Sequence, residues 1–448
     1  MLHSRDFDAP ALDEIEFRHH YEQTLKRSAQ LGRRRTRRWA AGGTAALACL
    51  LTVGLVTASL GETTPRPRTV AGSSAHTTWR LVSDVSASGS SWRALSPSGY
   101  KQTFSLVCPS NTTCYADATG GQLEYTHNGG STWQRASSIG RATLLTRISC
   151  VNARDCDVLA DNAGRESTFF STTDGGQSWT SHHGPAVPNP SKISVAIDVM
   201  SCTTISSCVV IAYQGDSSGS FSATFTTSDG GASWSQSTLP SLPSGQFLPT
   251  GLSCSRTTCV AVGATGRYGG ASQGVDIHGG AAYTSADGGA KWTASSAPWQ
   301  GLTRSLTCSD SADCYAATLD AVYQTKDSGQ AWGRVSTSGL PGPSSSSSRW
   351  SFLAMSCASS SSCWLSGASE LPANPGSERA FFSIGQGQGL LASTADGGTT
   401  WALSKPPAGV GGVADVTCPD TTTCFALGIK QTGSAPSDFK VVLLTNAS

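Results

Sequence analysis

One eight-residue phrase recurs along this chain and restricts it to a repeat architecture: Ser/Thr-x-Asp-Gly-Gly-x-x-Trp. It stands complete at Thr172–Trp179, Thr227–Trp234, Ser285–Trp292 and Thr394–Trp401. Two variants run Thr126–Trp133, with Asn128 in the aspartate place, and Thr325–Trp332, with Ser328 for the first glycine. A phrase returning every 40 to 70 residues or so marks stacked units that share a core. Fold therefore comes first, and function is sought on the surface of the stack.

A second repeat interleaves with the first. Fourteen of the 15 cysteines form local pairs: Cys108/Cys114, Cys150/Cys156, Cys202/Cys208, Cys254/Cys259, Cys308/Cys314, Cys357/Cys363 and Cys418/Cys424. Even numbers at near-constant spacing read as disulfides formed in an oxidising compartment. Reduced core thiols and metal ligation are the rival readings. Zinc sites favour cysteines two to four residues apart with a second pair or histidines nearby, and no histidine tracks these pairs, so no metal and no cofactor is expected.

Around the pairs the sequence has a grammar. Two residues before the first cysteine stands an apolar residue (Leu106, Ile148, Met200, Leu252, Leu306, Met355, Val416), and the next is mostly Ser or Thr. After the second cysteine comes an often aromatic residue, and the fourth position after it is small. This alternation predicts two strands joined as a hairpin, with the cysteines opposed across it. The Asp-Gly-Gly phrase predicts a tight turn between a third and a fourth strand. Each unit is then a four-stranded antiparallel blade, A to D, and the expected fold is an all-β, seven-bladed propeller.

The phrase resembles the Asp-box, or BNR repeat, of sialidases, sortilin-type receptors, some endoglucanases and photosystem II assembly-factor-like propellers. The last group is the most similar, through its first two strands. The resemblance covers residues 79–448. It implies that Asn128, Asp174, Asp229, Asp287, Asp327 and Asp396 serve architecture rather than chemistry.

The N-terminal part is different in kind. Residues 39–60 hold no charge and are long enough to cross a bilayer as a helix, and Arg33, Arg34, Arg35, Arg37 and Arg38 stand before them. Positive charge stays on the cytoplasmic side. The expected layout is a cytoplasmic basic segment over 1–38, a transmembrane helix over 39–60, a flexible linker over 61–78 and an extracellular propeller over 79–448. A cleavable signal is the competing reading of 39–60. Residues 1–39 carry nine Lys/Arg against six Asp/Glu, the remainder 22 against 24. A weakly acidic body argues against nucleic acid as a partner.

Seven cysteine hairpins stand beside six complete turns. The chain stops in a third strand at Val441–Ser448, and Trp92 lies 16 residues before Cys108, as Trp292 lies before Cys308. The expectation is that Trp92–Leu95 supplies the missing fourth strand and closes the ring. Connectivity puts the cysteine and Asp-Gly-Gly turns on one face and the length-variable connections on the other. From second cysteine to tryptophan the count is 18 in the fifth blade, 33 in the fourth and 38 in the sixth. The extra residues, 264–280 and 368–390, are expected to be loops. Aromatic residues and arginine are the usual vocabulary of recognition surfaces. The candidate binding residues are Arg267, Tyr268, Asp276, His278, Trp299, Trp350, Glu370, Glu378, Arg379, Phe381 and Phe382.

Catalytic patterns are scarce. Arg147 and Arg304 fall late in first strands but not at matching positions, and the Arg-Ile-Pro motif of sialidases does not occur. The expected function is a membrane-tethered binding or scaffolding module for a protein or glycan partner at the cell surface. A sialidase-like or endoglucanase-like glycoside hydrolase using loop carboxylates is the alternative.

Overall fold

The computed structural model describes residues 78–85, 105–117, 122–139, 144–161, 167–186, 195–216, 219–242, 245–268, 275–341, 349–370, 387–433 and 439–447. All lie in one compact unit, Ser73–Ser448. The basic segment, the 39–60 span, most of the linker, Trp92–Leu95, Glu378, Arg379, Phe381 and Phe382 lie outside the described residues. Among the described residues no helix is long and apolar enough to cross a membrane.

Seven four-stranded antiparallel sheets form a seven-bladed propeller. Blades one to six occupy 105–135, 144–183, 195–238, 246–295, 305–334 and 349–404. In each of these, strands A to D follow in chain order. Strand A is innermost: each touches strand A of the next blade, and Val410–Thr417 of blade seven returns to Ser105–Val107 of blade one.

Blade seven joins both ends of the propeller. Its strands A to C are Val410–Thr417, Phe425–Gln431 and Phe439–Thr445, and its strand D is Arg80–Asp84. Arg80 pairs with Thr445 and Asp84 with Val442. Lys440 Nζ lies 2.7 Å from Asp84 Oδ2, and Arg80 Nε donates to the Ala447 carbonyl at 3.2 Å. The ring is thus closed by an N-terminal strand as expected, but by a different one. Trp79, not Trp92, takes the tryptophan place, buried and edge-on to Trp364 at 5.0 Å. Thr78-Trp79 reads as the tail of a turn whose head is Thr445-Asn446. A run matching any Ser-Ser-Trp could not be told apart by spacing alone.

The seven cysteine pairs are all disulfides, each with Cα atoms 4.0–4.1 Å apart. Inside each six-residue clip the residue two after the first cysteine caps the loop. Ser110, Asn152, Thr204, Asp310, Ser359 and Asp420 each accept two backbone N–H bonds from residues two and three further on. The clip of blade four is one residue shorter, and Arg256 there takes φ 56° instead.

The acidic turn is wired as tightly. In blade two, Asp174 Oδ1 accepts Thr172 Oγ1 at 2.8 Å and the Ser178 N–H at 3.0 Å, and Thr172 Oγ1 accepts the Gly176 N–H. The first glycine's N–H crosses to the cysteine loop: Gly175 to Arg154 O, Gly230 to Ser206 O, Gly288 to Thr257 O. The second glycine fits against the preceding blade. A Cβ there would lie 2.8 Å from Tyr115 at Gly176, 2.5 Å from Phe169 at Gly231 and 2.8 Å from Val209 at Gly289. Both glycines also hold positive φ. The phrase therefore needs Asp to gather N–H groups and two glycines for separate reasons.

The Ser/Thr before the first cysteine has an equally local cause. Strand A is an inner edge, so its N–H groups lack a sheet partner. The preceding blade supplies one: Ser149 Oγ accepts the Cys202 N–H, Ser201 that of Cys254, Thr307 that of Cys357, Ser356 that of Cys418 and Thr417 that of Cys108. These five bonds stitch consecutive blades around the channel. Between blades, apolar residues fill the wedge, for example Tyr115, Leu123 and Tyr125 of blade one against Val158, Ala160 and Phe170 of blade two.

Candidate functional site: an uneven rim and a charged hairpin

Blade height varies on the face opposite the clips. Strand B runs nine residues beyond its cysteine in blade four (Cys259 to Tyr268) but three in blade five (Cys314 to Ala317). Six more residues of strand carry the rim about 20 Å further. Blades three and six are also tall, with strand B reaching Asp216 and Glu370, while blade one stops at Asp117. Blade five thus forms a low step between blades four and six.

The blade-four insertion is not a loop. Strands Thr258–Tyr268 and Val275–Ser285 stay paired to their ends, and strand A, Gln246–Ser255, extends beside them. Only 269–274 lies between. Long strands here satisfy backbone groups that a loop would leave bare. The alternation of Val260, Val262 and Ala264 against small residues keeps the hairpin packed.

Three expected binding residues meet on this hairpin. Arg267 sits directly opposite Asp276. His278 Nε2 lies 3.1 Å from Asp276 Oδ2. All three are exposed. The ladder slips at Thr265/Gly266, which makes His278 the extra residue of a bulge and turns it toward Asp276. Tyr268 pairs with Val275 in the same ladder. Ile277, opposite Gly266, points to the other side of the hairpin and is 37% exposed.

The aromatic candidates have other duties. Trp299 is 1% exposed, donates Nε1–H to the Gly263 carbonyl at 2.9 Å and meets Trp332 edge-on. It lies on Gly280, where a Cβ would come within 2.4 Å. Trp299 is core, filling the wall between blades four and five. Trp350 lies in strand A of blade six, opposite Ser369, and packs half-buried against the cluster of Tyr315, Val322 and Phe352. It is thus a strand residue facing the core shared by blades five and six. Glu370 ends strand B of the same blade.

Sequence reasoning passed over the channel and one junction. Asp415, on strand A of blade seven, accepts the Leu106 N–H of blade one at 2.8 Å and the Val416 N–H at 2.8 Å. Burial pushes its carboxyl up to about 7, although the two N–H bonds and the Arg147 charge oppose the rise. Arg147 reaches from blade two to the Thr250 carbonyl of blade four at 3.4 Å. Asp157, fully buried between blades two and three, accepts Ser171 Oγ at 2.7 Å; burial raises it to about 7 as well. For Asp157 the available signal was an acid in a repeat position held elsewhere by Tyr115, Val209, Val260, Tyr315, Trp364 and Phe425.

The acids of the turns behave oppositely. The Ser178 hydroxyl and N–H hold Asp174 down to about 2, and those of Ser233 do the same for Asp229. These carboxylates are ionised and occupied by their own turns.

The class defined by these features is a disulfide-clipped seven-bladed propeller. No protein-family model matches the chain. No curated protein matches it either. Solved structures do. YCF48 bound to D1 peptide is 16% identical, with TM-score 0.51, over 83% of this chain and 97% of that one. YCF48 from Cyanidioschyzon merolae is 16% identical, with TM-score 0.47, over 82% and 98%. The GH74 xyloglucanase from Xanthomonas campestris is 11% identical, with TM-score 0.51, over 81% of this chain and 55% of that one. At such identities the likeness is one of fold.

Proposed function

We propose that this chain is a membrane-tethered, extracytoplasmic propeller that binds or scaffolds a protein partner through its uneven rim. The observation that carries the reading is the contrast between the two faces. On one, side chains are consumed by clips and turns; on the other, a tall hairpin presents Arg267, Asp276 and His278 to solvent. Function concentrates on irregular segments held by a rigid scaffold. A propeller of similar fold holds a peptide, as YCF48 does with D1. Both ends of the ring meet beside Ala447, on the clip face. A tether leaving there directs the rim away from the membrane. The seven disulfides fit an oxidising compartment, and the uncharged 39–60 span behind its arginines supplies the anchor.

Two of the described carboxylates are already committed elsewhere and do not serve the glycosidase alternative. Asp157 is buried in a blade junction against a disulfide, and both oxygens of Asp415 are taken by backbone N–H groups. A panel of chromogenic glycosides at high protein concentration checks this, with no turnover expected.

The binding reading is tested by replacing 267–276 with a two-residue turn in the full chain. Partner recovery from the native cell envelope, quantified after crosslinking, should fall at least tenfold while thermal stability holds. Equal recovery from both proteins would remove the rim from consideration.

A further inference from the structure

Six of the seven disulfides share one kind of neighbour. The residue after the second cysteine of one blade packs on the disulfide of the next: Tyr115 on Cys150–Cys156, Val209 on Cys254–Cys259 and Val260 on Cys308–Cys314. Likewise Tyr315 covers Cys357–Cys363, Trp364 covers Cys418–Cys424 and Phe425 covers Cys108–Cys114. In blade two that residue is Asp157. Its Oδ2 lies 3.6 Å from Cys208 Sγ, and Asp157 and both sulfurs of Cys202–Cys208 fall within 4.8 Å of one another. A carboxyl group thus stands where every other junction has an apolar lid.

Two further observations fall at the same junction. An open cleft of about 350 Å³ lies between blades two and three. Its lining includes Ile205 and Ser206, which belong to the Cys202–Cys208 loop itself, and Thr173, Ser178 and His182 across from them. Ser171 lines the cleft too, and its hydroxyl donates to Asp157 Oδ1 at 2.7 Å. The buried acid is therefore one hydroxyl away from solvent. Its other oxygen faces a bridged sulfur, which has no proton to offer, so the neutral acid with its O–H directed at Cys208 is the form the site accommodates.

We propose that Cys202–Cys208 is a thiol-exchange site, entered from the cleft between blades two and three by a small thiol, with Asp157 as proton donor to the departing Cys208 sulfur. The thiolate attacks Cys202 Sγ, Cys202 being the less buried residue of the pair. A bond forms between the reagent sulfur and Cys202, and the Cys202–Cys208 bond breaks. The electron pair leaves on Cys208 and takes the Asp157 proton, which Ser171 restores from solvent. A second thiol then attacks the mixed disulfide, releasing Cys202 as a thiol and the reagent as its own disulfide. Two reagent thiols are oxidised for each clip reduced. A better leaving group departs faster, and the other six clips, lidded by carbon, lack such a donor. Since Ser149 of blade two also holds the Cys202 N–H, opening this clip loosens the junction that forms the cleft.

The test is graded reduction of the full chain by glutathione, with alkylation of freed thiols and peptide mass mapping of all seven clips. The six others serve as internal controls for reagent ionisation. At pH 6 the Cys202–Cys208 clip should open at least tenfold faster than their mean. That ratio should fall toward unity by pH 8.5, as Asp157, whose acid form the Asp155 charge favours, loses its proton. Asp157→Val installs the residue type found at Val209 and Val260, keeps the fold by the logic of the repeat, and should bring the ratio to unity at every pH. Asp157→Asn should do the same without changing the shape of the junction. A wild-type ratio near one, or a ratio that survives both substitutions, overturns the proposal.

Discussion

Blades four and five are neighbours built on the same plan, and they part company chiefly at one end. Both carry a disulfide between strands A and B, a Ser/Thr–Asp turn between C and D, and a tryptophan closing that turn. In the acidic turn their hydrogen bonds match, from Ser285 or Thr325 to the aspartate and from the N–H four residues on to the same carboxylate, while the clip of blade four is one residue shorter. At the rim end blade four continues as a long charged hairpin, while blade five turns at once through Thr318, whose hydroxyl accepts the Ala321 N–H. The clip face is over-determined: each residue answers to its own turn, to the adjoining turn and to the preceding blade. The rim answers only to itself, so it is free to differ.

Substitution of the two turn glycines sharpens that contrast most. Gly289→Ala must both hold φ 89° and push a Cβ to 2.8 Å from Val209 of blade three. The expected loss is about 3 kcal/mol, combining overpacking with the left-handed penalty. Gly288→Ala, one residue earlier, meets nothing within 4 Å and bears only the backbone cost at φ 73°, about 1 kcal/mol. Chemical denaturation of the two variants measures both. Equal losses would mean that the turn does not act as a wedge between blades.

Next comes the clip itself. Cys308→Ala with Cys314→Ala should cost about 2 kcal/mol by the chain-entropy account of a short loop. Replacing 269–274 by a shorter turn should change stability by less than about 0.5 kcal/mol, the usual range for exposed segments without special contacts. Unfolding midpoints of the two variants compare the faces directly.

Acid separates two kinds of aspartate. The folded pKa of Asp174 and Asp229 is lowered to about 2, so their stabilisation is present above the ordinary carboxylate range and is lost as pH falls toward 2. Asp415 has the opposite sign. Raised to about 7, it binds its proton more tightly folded than unfolded, so its contribution declines as pH rises from about 4 through 7. Asp174→Asn should flatten the acid limb of a melting-temperature profile, and Asp415→Asn the limb between pH 4 and 7. The reverse pattern would reject the hydrogen-bond assignments.

The parts legible in the sequence are those with a physical reason to repeat. Strand order, clip pairing and the acidic turn could be read because every blade must satisfy the same N–H groups and approach its neighbour equally closely. Trp92 competes with Trp79 for the closing strand because a short Ser/Thr-Trp tail without its aspartate carries too little information to choose between two copies. The 264–280 stretch reads as a loop because Gly and Ala there hide the alternation that shows a strand. Trp299 looked like a surface anchor because its partner, the bare backbone at Gly280, has no side chain to announce it. Arg267, Asp276 and His278 could be singled out as residues, yet their meeting depends on a register and a bulge that only pairing reveals.

The smallest effect probes the one turn that departs from its own rule. Ser328 stands where the other turns have Gly129, Gly175, Gly230, Gly288 or Gly397, and it holds φ 60°. Its N–H still reaches the Ala312 carbonyl at 3.1 Å, as the glycines' N–H groups reach their loops. The bond is kept and only the backbone is strained. Ser328→Gly removes a left-handed penalty of about 1 kcal/mol but frees the unfolded chain by somewhat less. The net gain should be about 0.5 kcal/mol, a rise in melting temperature of about 1 °C for a body of this size. The same change would leave the rim untouched, so any shift in partner recovery would show that the two faces are coupled after all.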